Sequence, residues 1–351
     1  MNRHIKKTFS IFKYRKKEMN ILLNLIDKVK NTEYLTFYNP ECIGIMNSTK
    51  ELFDESNIIS LYELFNKKEI EKIALKIKEK NFKQVIFSTM AYGYKSLAEK
   101  IHEVDNTIKI KFLWHGSHSL FVNKNEEYFL YNILDLAKRN IIESIGFLKE
   151  SMADFYKSKG YNAYFVKNTV NTKAIEVSKK EKDNKIRIGL YSSGDRWEKN
   201  TYNQLSACAM LKNAIVDLVP NTDLSKSFCK LMNIEMAVDS NISNFSHDDL
   251  LIRMSNNDIN LYVTFTECAP LVPLESFEVG VPCIVGDNNH YFNGTELEEF
   301  LVVKSEDSID EIYEKINLAI KNKEKIMTLY KNWKKTYDVE AKKSVEEFLK
   351  S

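Results

Sequence analysis

Residues 259–287 read INLYVTFTECAPLVPLESFEVGVPCIVGD, and this segment carries the clearest fold signal in the chain. Its apolar and β-branched residues at 259–266 predict a buried strand, and a helix is predicted at 271–279. Gly280 and Pro282 end that helix and lead into another apolar run, which predicts the next strand. A strand, a crossover helix and a second strand in this order indicate a parallel sheet covered by helices.

The same alternation extends over most of the chain and predicts an α/β protein. Further strands are predicted at 34–39, 84–89, 108–116, 141–148, 163–170, 185–193, 214–221 and 234–240. Further helices are predicted at 19–30, 67–80, 93–104, 126–138, 202–211, 223–232 and 247–255.

The charged segment KAIEVSKKEKDNK, at 173–185, interrupts this alternation and predicts a surface linker. We therefore predict two Rossmann-like domains, at 1–172 and 185–330. The tail, 307–351, is expected to form helices with breaks around Lys331 and Tyr337, and 331–351 is predicted as a C-terminal helix that packs back toward the first domain. Two α/β halves joined by a linker predict a ligand cleft between them, because domain interfaces are common binding places.

Composition limits the function classes. Of the 351 residues 44% are hydrophobic, which is enough for two cores and excludes disordered and fibrous proteins. The 51 Lys and Arg against 49 Asp and Glu give a charge of +2, which argues against a dedicated nucleic-acid binder. The charge is uneven, because residues 1–30 hold nine basic and two acidic residues whereas the rest holds 42 and 47.

No apolar run reaches the ~18 residues that a membrane span needs, and no export signal is recognisable, so a cytoplasmic protein is expected. Basic and aromatic residues mix in residues 1–17. One hypothesis is peripheral contact of this segment with the inner membrane face, and the other is an ordinary solvated helix. The five Cys lack metal-ligand spacing, which predicts reduced thiols and no metal site.

Two carboxylates stand in the segment described first. Glu267 follows the predicted strand, and Glu275 lies on the helix after seven intervening residues. Spacing alone is common, but the order of strand, Glu, loop, Leu-Glu-Ser-Phe, Val-Gly-Val-Pro and strand is specific. In this order the segment resembles the retaining GT-B glycosyltransferases of family 4. The alternative is a Glu267 that caps a helix and a Glu275 that is an ordinary helix carboxylate.

The resemblance implies a nucleotide-sugar site. In the family the first Glu contacts the hydroxyls of the donor sugar and the second holds the ribose hydroxyls, which implies these roles for Glu267 and Glu275. A helix N-terminus stabilises the diphosphate without a metal. Pro270 stands in the loop where the family has a Gly-rich segment, and it has no N–H to donate. The phosphate donors implied here are the backbone N–H groups of Ala269, Leu271 and Val272.

A second motif is RIGLYSSGDRWEKNTYNQLSA, at 187–207. In the family this strand ends in a loop that carries an Arg and then a Lys that opens a helix, which implies a donor-site role for Gly194, Arg196 and Lys199. Both cations would neutralise the diphosphate as it leaves. Asp195 is inserted between Gly194 and Arg196 relative to the family. Ordinary surface charges are the alternative.

The first half supplies further candidates. Its strand at 108–116 ends at His115 and Gly116, where family members often carry a functional His, which implies that His115 hydrogen-bonds the donor sugar or orients the acceptor. His118 on the same loop is a second candidate.

Four other residues occupy loops that are expected near a substrate. Gly93 and Tyr94 follow the preceding strand and are candidates for acceptor contacts, with a simple strand-to-helix turn as the alternative. Asn244 and Phe245 stand where the nucleobase usually stacks in the family.

Several motifs are absent from the sequence. No Gly-x-Gly-x-x-Gly follows the first strand of either half, which argues against a dinucleotide-dependent dehydrogenase, and no Walker motif occurs. No Asp-x-Asp stands at a strand end, as metal-dependent glycosyltransferases of the other major fold would need.

The resemblance implies a GT-B fold, with two Rossmann-like α/β domains facing each other across a donor-binding cleft and a C-terminal helix crossing back. It implies retaining, metal-independent sugar transfer from a nucleotide-sugar such as a UDP- or GDP-sugar, without a cofactor. A glycan, a lipid-linked molecule or a protein would be the acceptor, and nucleic acid is not expected as a partner. The alternatives are a catalytically silent GT-B subunit that stabilises a partner glycosyltransferase, a GT-B sugar-nucleotide epimerase and a two-lobed module that binds a small ligand.

Overall fold

The computed structural model describes residues 18–64, 66–170, 185–192, 194–237 and 246–351. The chain divides into two compact units, and each is described by itself. The first consists of Met1–Asn168 and Ala341–Ser351, and the second of Thr169–Glu340. Some sequence predictions lie outside the described residues, namely those for 1–17, for the linker 173–185 except Lys185, and for Asn244 and Phe245.

The first unit contains a sheet of six parallel strands in the order β2-β1-β3-β4-β5-β6. The strands are β1 Leu35–Tyr38, β2 Ile58–Ser60, β3 Gln84–Phe87, β4 Lys109–Trp114, β5 Ser144–Phe147 and β6 Ala163–Phe165. Their side chains are mostly buried, as expected for a parallel sheet covered on both faces. Phe87 and Phe112 on neighbouring strands are fully buried, and their rings stack with centroids 4.8 Å apart.

Helices precede and connect these strands. They are α1 at residues 18–28, α2 Ile43–Leu52, α3 Lys67–Glu79, α4 Tyr94–Val104, α5 Lys124–Lys138 and α6 Glu150–Ser158. The third shows why they form where they do. Asn66 caps it by accepting a hydrogen bond from the backbone N–H of Lys68, and Ile70, Ile73 and Ile77 form one buried face.

The second unit contains another sheet of six parallel strands, in the order β12-β11-β10-β7-β8-β9. The strands are β7 Ile186–Tyr191, β8 Ala214–Val219, β9 Glu235–Met236, β10 Ile259–Tyr262, β11 Cys283–Gly286 and β12 Val302–Val303. Counted within the unit, this is the order 3-2-1-4-5-6 of the dinucleotide-binding doubly wound fold. The chain therefore reverses direction across the sheet between β7 and β10.

Helices also begin in this unit. They are α7 Thr201–Ala209, α8 Asp223–Leu231, α9 His247–Ser255, α10 Leu271–Glu278, α11 Glu296–Leu301, α12 Ile309–Lys321 and α13 Lys323–Lys350. The capping residues Thr222 and Ser246 open α8 and α9, each in a reciprocal pair with the residue three positions later. Within the described residues, no helix is both long and apolar enough to cross a membrane.

The last helix differs from its prediction. It runs from Lys323 to Lys350 without the expected breaks around Lys331 and Tyr337, and its final turns belong to the first unit. The buried Lys111 of β4 holds its end, because Nζ donates to the carbonyl oxygens of Phe348 at 2.7 Å and Leu349 at 2.9 Å. Burial lowers the pKa of Lys111 to about 8. A cation at a helix C-terminus satisfies carbonyls that have no partner within the helix.

Candidate functional site

The second sheet places a charged cluster at its reversal point, where the carboxyl ends of parallel strands open a crevice. Lys199 follows β7 and Glu267 follows β10. Lys199 Nζ forms an ion pair with Oε1 of Glu267 and donates to the hydroxyl of Tyr262 at 3.2 Å. The Tyr262 hydroxyl donates to the same Glu267 oxygen at 2.9 Å. The structure thus brings together two predicted residues that are 68 positions apart, with Tyr262 between them.

Burial determines how this cluster behaves. The side chain of Lys199 is 5% exposed and that of Glu267 is 15% exposed, so little water competes for either charge. Burial, with the nearby Glu267 charge as a second cause, raises the pKa of Tyr262 well above its ordinary value. The phenol therefore stays protonated and acts as a hydrogen-bond donor to the carboxylate.

Hydrogen bonds to backbone groups join the segment after β7 to the segment after β10. The side-chain oxygen of Gln204 accepts from the N–H of Val263 at 2.9 Å, and the N–H of Phe265 donates to the carbonyl of Glu198 at 2.9 Å. These bonds occupy backbone N–H groups that a longer strand would use to pair with a neighbouring strand. The predicted strand at 259–266 is therefore too long, and Glu267 lies five residues beyond the observed end of β10.

The loop after β7 contains the predicted Gly194 and Arg196. Gly194 has φ +123°, a conformation that other residues rarely adopt. Asp195 accepts hydrogen bonds from the hydroxyls of Tyr202 at 2.7 Å and Thr222 at 2.9 Å, so the inserted residue fastens the loop to the two helices that follow. The side chain of Arg196 is 51% exposed and its Nε pairs with Glu198 at 3.0 Å.

Glu275 is the fifth of the eight residues of α10, and its side chain is 4% exposed. His247, the first residue of α9, donates from Nε2 to Oε1 of Glu275 at 2.7 Å, since a carboxylate can only accept. Among the described residues no other side chain hydrogen-bonds to this carboxylate. The second oxygen, Oε2, therefore makes no side-chain hydrogen bond within that part of the chain.

The start of α10 was predicted to bind phosphate through Ala269, Leu271 and Val272. Pro270 is the N-cap residue, and its side chain cannot accept a capping hydrogen bond. The N–H groups of Leu271 and Val272 in the first turn therefore have no side-chain cap. Pro273, the third helical residue, lacks an N–H altogether.

In the first unit, His115 follows β4 and is partly exposed. Its Nε2 is 2.9 Å from the hydroxyl of Ser88, which follows β3. Burial lowers the pKa of His115 to about 3, so the imidazole is neutral near pH 7. Gly116 beside it is buried, and a Cβ there would approach the ring of Trp114 to 3.0 Å.

His118 is turned toward a different element. It lies in the short 3₁₀ helix His118–Val122, its Nε2 is 2.9 Å from the hydroxyl of Tyr156 on α6, and its ring packs edge-on against Phe121 and Phe155. The two histidines therefore have separate sets of partners.

Tyr94 does not fit the predicted acceptor contact and is corrected, whereas Gly93 is partly exposed and its contact stays a prediction. Gly93 has φ +85°, and a Cβ there would lie 2.0 Å from the carbonyl oxygen of Leu64. Tyr94 is fully buried and its hydroxyl donates to the carbonyl oxygen of Leu61. Both residues build the strand-to-helix turn before α4, because close backbone packing requires a Gly there.

Sequence reasoning missed Tyr262 and His247. A tyrosine in the predicted strand, five residues before the first Glu, was an available signal for Tyr262. Nothing local marked His247, because its partner Glu275 is 28 positions away and on another helix. No group of three or more His, Cys, Asp or Glu side chains among the described residues is arranged to hold a metal ion.

Comparison with known proteins shows which family and which solved structures this chain is similar to. The family described as "Glycosyl transferases group 1" matches residues 172–336. The structure of Anabaena HepE in complex with UDP-glucose is similar with a TM-score of 0.61 at 12% identity, covering 90% of this chain and 99% of that one. The α,α-trehalose-phosphate synthase (UDP-forming) of Burkholderia xenovorans in complex with glucose-6-phosphate has a TM-score of 0.59 at 9% identity, covering 90% and 99%.

No curated protein sequence matches this chain significantly. The structural similarities, at such low identity, establish the fold. The chain has the GT-B fold with two Rossmann-like α/β units, as the sequence predicted. The family match covers the segment that contains every described residue of the charged cluster.

Proposed function

Because residues 172–336 match the family model of the group 1 glycosyltransferases, we propose that this protein transfers a glycosyl group from a UDP-sugar with retention of configuration and without a metal. UDP is proposed as the nucleotide because Anabaena HepE is similar in structure and binds UDP and UDP-glucose, and a GDP-sugar is the alternative. The single observation that carries the proposal is the buried cluster of Lys199, Glu267 and Tyr262 at the reversal point of the second sheet.

The cluster suits a diphosphate leaving group. The ammonium of Lys199 has three hydrogens, of which one goes to Glu267 and one to Tyr262. The third is available to a phosphate oxygen. A buried cation that is already oriented by two partners stabilises developing negative charge strongly, because it needs no reorganisation during the reaction. Arg196, more exposed and on the same loop, is proposed as the second cation.

Glu267 is proposed to orient the donor sugar through its hydroxyls. Its Oε1 already accepts from Lys199 and Tyr262, which holds the carboxylate in place and lowers its nucleophilicity. This supports a role in positioning rather than in forming a covalent intermediate. Retention would then follow from attack on the face that the diphosphate leaves.

Glu275 is proposed to bind the ribose through Oε2, while His247 holds Oε1. The N–H groups of Leu271 and Val272 are proposed to contact the diphosphate at the start of the same helix. Because Glu275 lies four residues after Leu271, one helix would present both the phosphate and the ribose contacts.

His115 in the first unit is proposed to contact a sugar hydroxyl. The acceptor is proposed to be a glycan, a lipid-linked molecule or a protein. Contact of residues 1–17 with an anionic membrane is a separate proposal. Vesicles of anionic phospholipid should retain the intact protein and release a variant that lacks these residues, whereas no retention of the intact protein would dismiss it.

A thermal-shift assay with UDP, GDP, ADP and CMP tests the main proposal. The wild type should be stabilised by UDP, and Glu275→Gln should lose most of that shift because an amide holds a ribose diol less well than a carboxylate. Glu278→Gln is the matched control on the same helix, since its carboxylate accepts from Tyr330 at 3.0 Å instead. EDTA should leave the UDP shift unchanged, and product NMR with UDP-glucose should show the donor's anomeric configuration.

Each alternative has its own signature in this assay. A protein that gives no shift with any nucleotide and releases no UDP from UDP-glucose would refute the enzyme proposal and favour a silent subunit. Formation of a new UDP-sugar without transfer would favour an epimerase. An unchanged shift for Glu275→Gln would refute the ribose-binding role of that residue alone.

A further inference from the structure

A buried chain of hydroxyl groups lies behind His115 in the first unit. It begins at Thr49 on α2, the helix that follows β1, and continues through Ser88 after β3 to His115 after β4. Thr49 Oγ1 and Ser88 Oγ are 2.7 Å apart, and Ser88 Oγ is 2.9 Å from His115 Nε2. Thr49 and Ser88 are both fully buried. The three residues thus line the reversal point of the first sheet, between β1 and β3.

The direction of each hydrogen bond follows from counting hydrogens. Thr49 has a single hydroxyl hydrogen and donates it to the backbone carbonyl of Ile45 at 2.7 Å. Thr49 Oγ1 must then accept from Ser88, which uses the only hydroxyl hydrogen of Ser88. Ser88 Oγ must in turn accept from His115, so Nε2 of His115 carries the hydrogen.

We infer that Thr49 and Ser88 are positioning residues that hold His115 in the Nε2–H tautomer, so that Nδ1 offers its lone pair to a hydroxyl group of the sugar substrate. This rests on the proposed function for the identity of the substrate. Among the described residues no other group hydrogen-bonds to His115. The low pKa of the imidazole agrees with this arrangement, because a neutral ring has one donor and one acceptor nitrogen.

The chemical consequence is a preference for ligand groups that donate. An unprotonated Nδ1 accepts from a hydroxyl but repels a carboxylate or a phosphate oxygen, which could only accept. The other tautomer would present Nδ1–H and reverse this preference. The hydroxyl chain therefore sets which kind of substrate group His115 recognises, although neither Thr49 nor Ser88 touches the substrate.

Selective ¹⁵N-histidine labelling of the full chain tests the inference directly, because protonated and unprotonated ring nitrogens have well-separated ¹⁵N shifts. His115→Gln identifies the resonance among the six histidines. The wild type should show a protonated Nε2 and an unprotonated Nδ1. In Thr49→Val the Ser88 hydrogen is released and can turn to Nε2, so the signals should move toward the Nδ1–H form. Thr49→Ser should restore the wild-type pattern.

The control is Thr36→Val in β1 of the same unit, because Thr36 is also fully buried and its Oγ1 has no hydrogen-bond partner. It should leave the His115 signals unchanged. If Thr49→Val does not fold, Ser88→Ala tests the same bond by removing the acceptor of Nε2–H. A wild type with protonated Nδ1, or a Thr49→Val variant with an unchanged pattern, would overturn the inference.

Activity gives a separate readout. Thr49→Val should lower kcat/KM for UDP-glucose roughly tenfold, as expected for one lost hydrogen bond to the substrate, and Thr49→Ser should recover it. Wild-type protein that shows the Nε2–H tautomer but does not act on UDP-glucose would refute the proposed function and leave the inference intact. Wild-type protein that acts on UDP-glucose but shows the Nδ1–H tautomer would refute the inference and leave the proposed function intact.

Discussion

Both sheets reverse their strand order beside their first strand, although the full orders differ, and they carry different chemistry at the reversal point. In the first unit the side chains there are neutral, because Thr49 and Ser88 lead to an uncharged His115. In the second unit they are charged, because Lys199 and Glu267 form a buried ion pair. Two parallel sheets that each reverse beside their first strand thus present a neutral reversal point in one unit and a charged one in the other. Fold alone does not determine which chemistry a reversal point performs.

The largest expected effect comes from removing the charge of the second reversal point. Lys199→Met should lower the rate of UDP release from UDP-glucose by roughly 10²–10³-fold, because a preoriented cation stabilises the leaving diphosphate. Single-turnover measurement of UDP release checks this. Lys226→Met, an exposed lysine of the same unit, should have no such effect. A loss below tenfold for Lys199→Met would remove the contrast between the two units.

A smaller effect is expected from the partner of Glu275. His247→Ala should weaken UDP binding roughly tenfold, because it leaves the buried carboxylate without the donor that orients it. Isothermal titration with UDP measures this. His290→Ala, which removes an exposed histidine of the same unit, is the matched control. Equal affinity in the His247 variant and the wild type would show that Glu275 needs no positioning.

The last expected effect concerns stability instead of binding, and it is a pH dependence that originates in the first unit. Folded His115 has a pKa of about 3, whereas the unfolded chain takes up a proton near pH 6.5. The unfolded state therefore binds more protons between these values, and His115 should destabilise the folded protein progressively as the pH falls below 6.5.

Urea unfolding at pH 7.5, 5.5 and 4.5 measures this contribution. The stability of the wild type should fall relative to that of His115→Gln as the pH decreases, since glutamine does not titrate. A constant difference between the two proteins over this range would mean that His115 is not held neutral by the fold.

Much of the fold could be predicted from the sequence. Helix α3 was expected at 67–80 and is observed at Lys67–Glu79, because its apolar spacing and its cap are local signals. Strand β12 and the short β2 were not predicted, since strands of two and three residues give too little pattern. Strand β10 was predicted too long, because the side chain of Gln204, far away in sequence, captures the N–H of Val263.

The candidate site was predicted less completely. The order of elements and residues in the two motifs predicts Lys199, Glu267 and Glu275 as site residues, because each motif is a short stretch of chain. Tyr94 was misassigned because its burial against Leu61 depends on packing between separate elements. Tyr262 and His247 were missed because the fold brings their hydrogen-bond partners to them, and no spacing along the chain marks those partners.

The sequence by itself determined the alternation of strands and helices and the order of the two motifs, since both follow from local periodicity and chain direction. Only the tertiary structure decided which side chains meet. It joined Lys199 to Glu267 across 68 positions and Ser88 to His115 across 27, because parallel strands bring the ends of distant segments to one edge of a sheet. The charge of one reversal point and the neutrality of the other were therefore settled by folding.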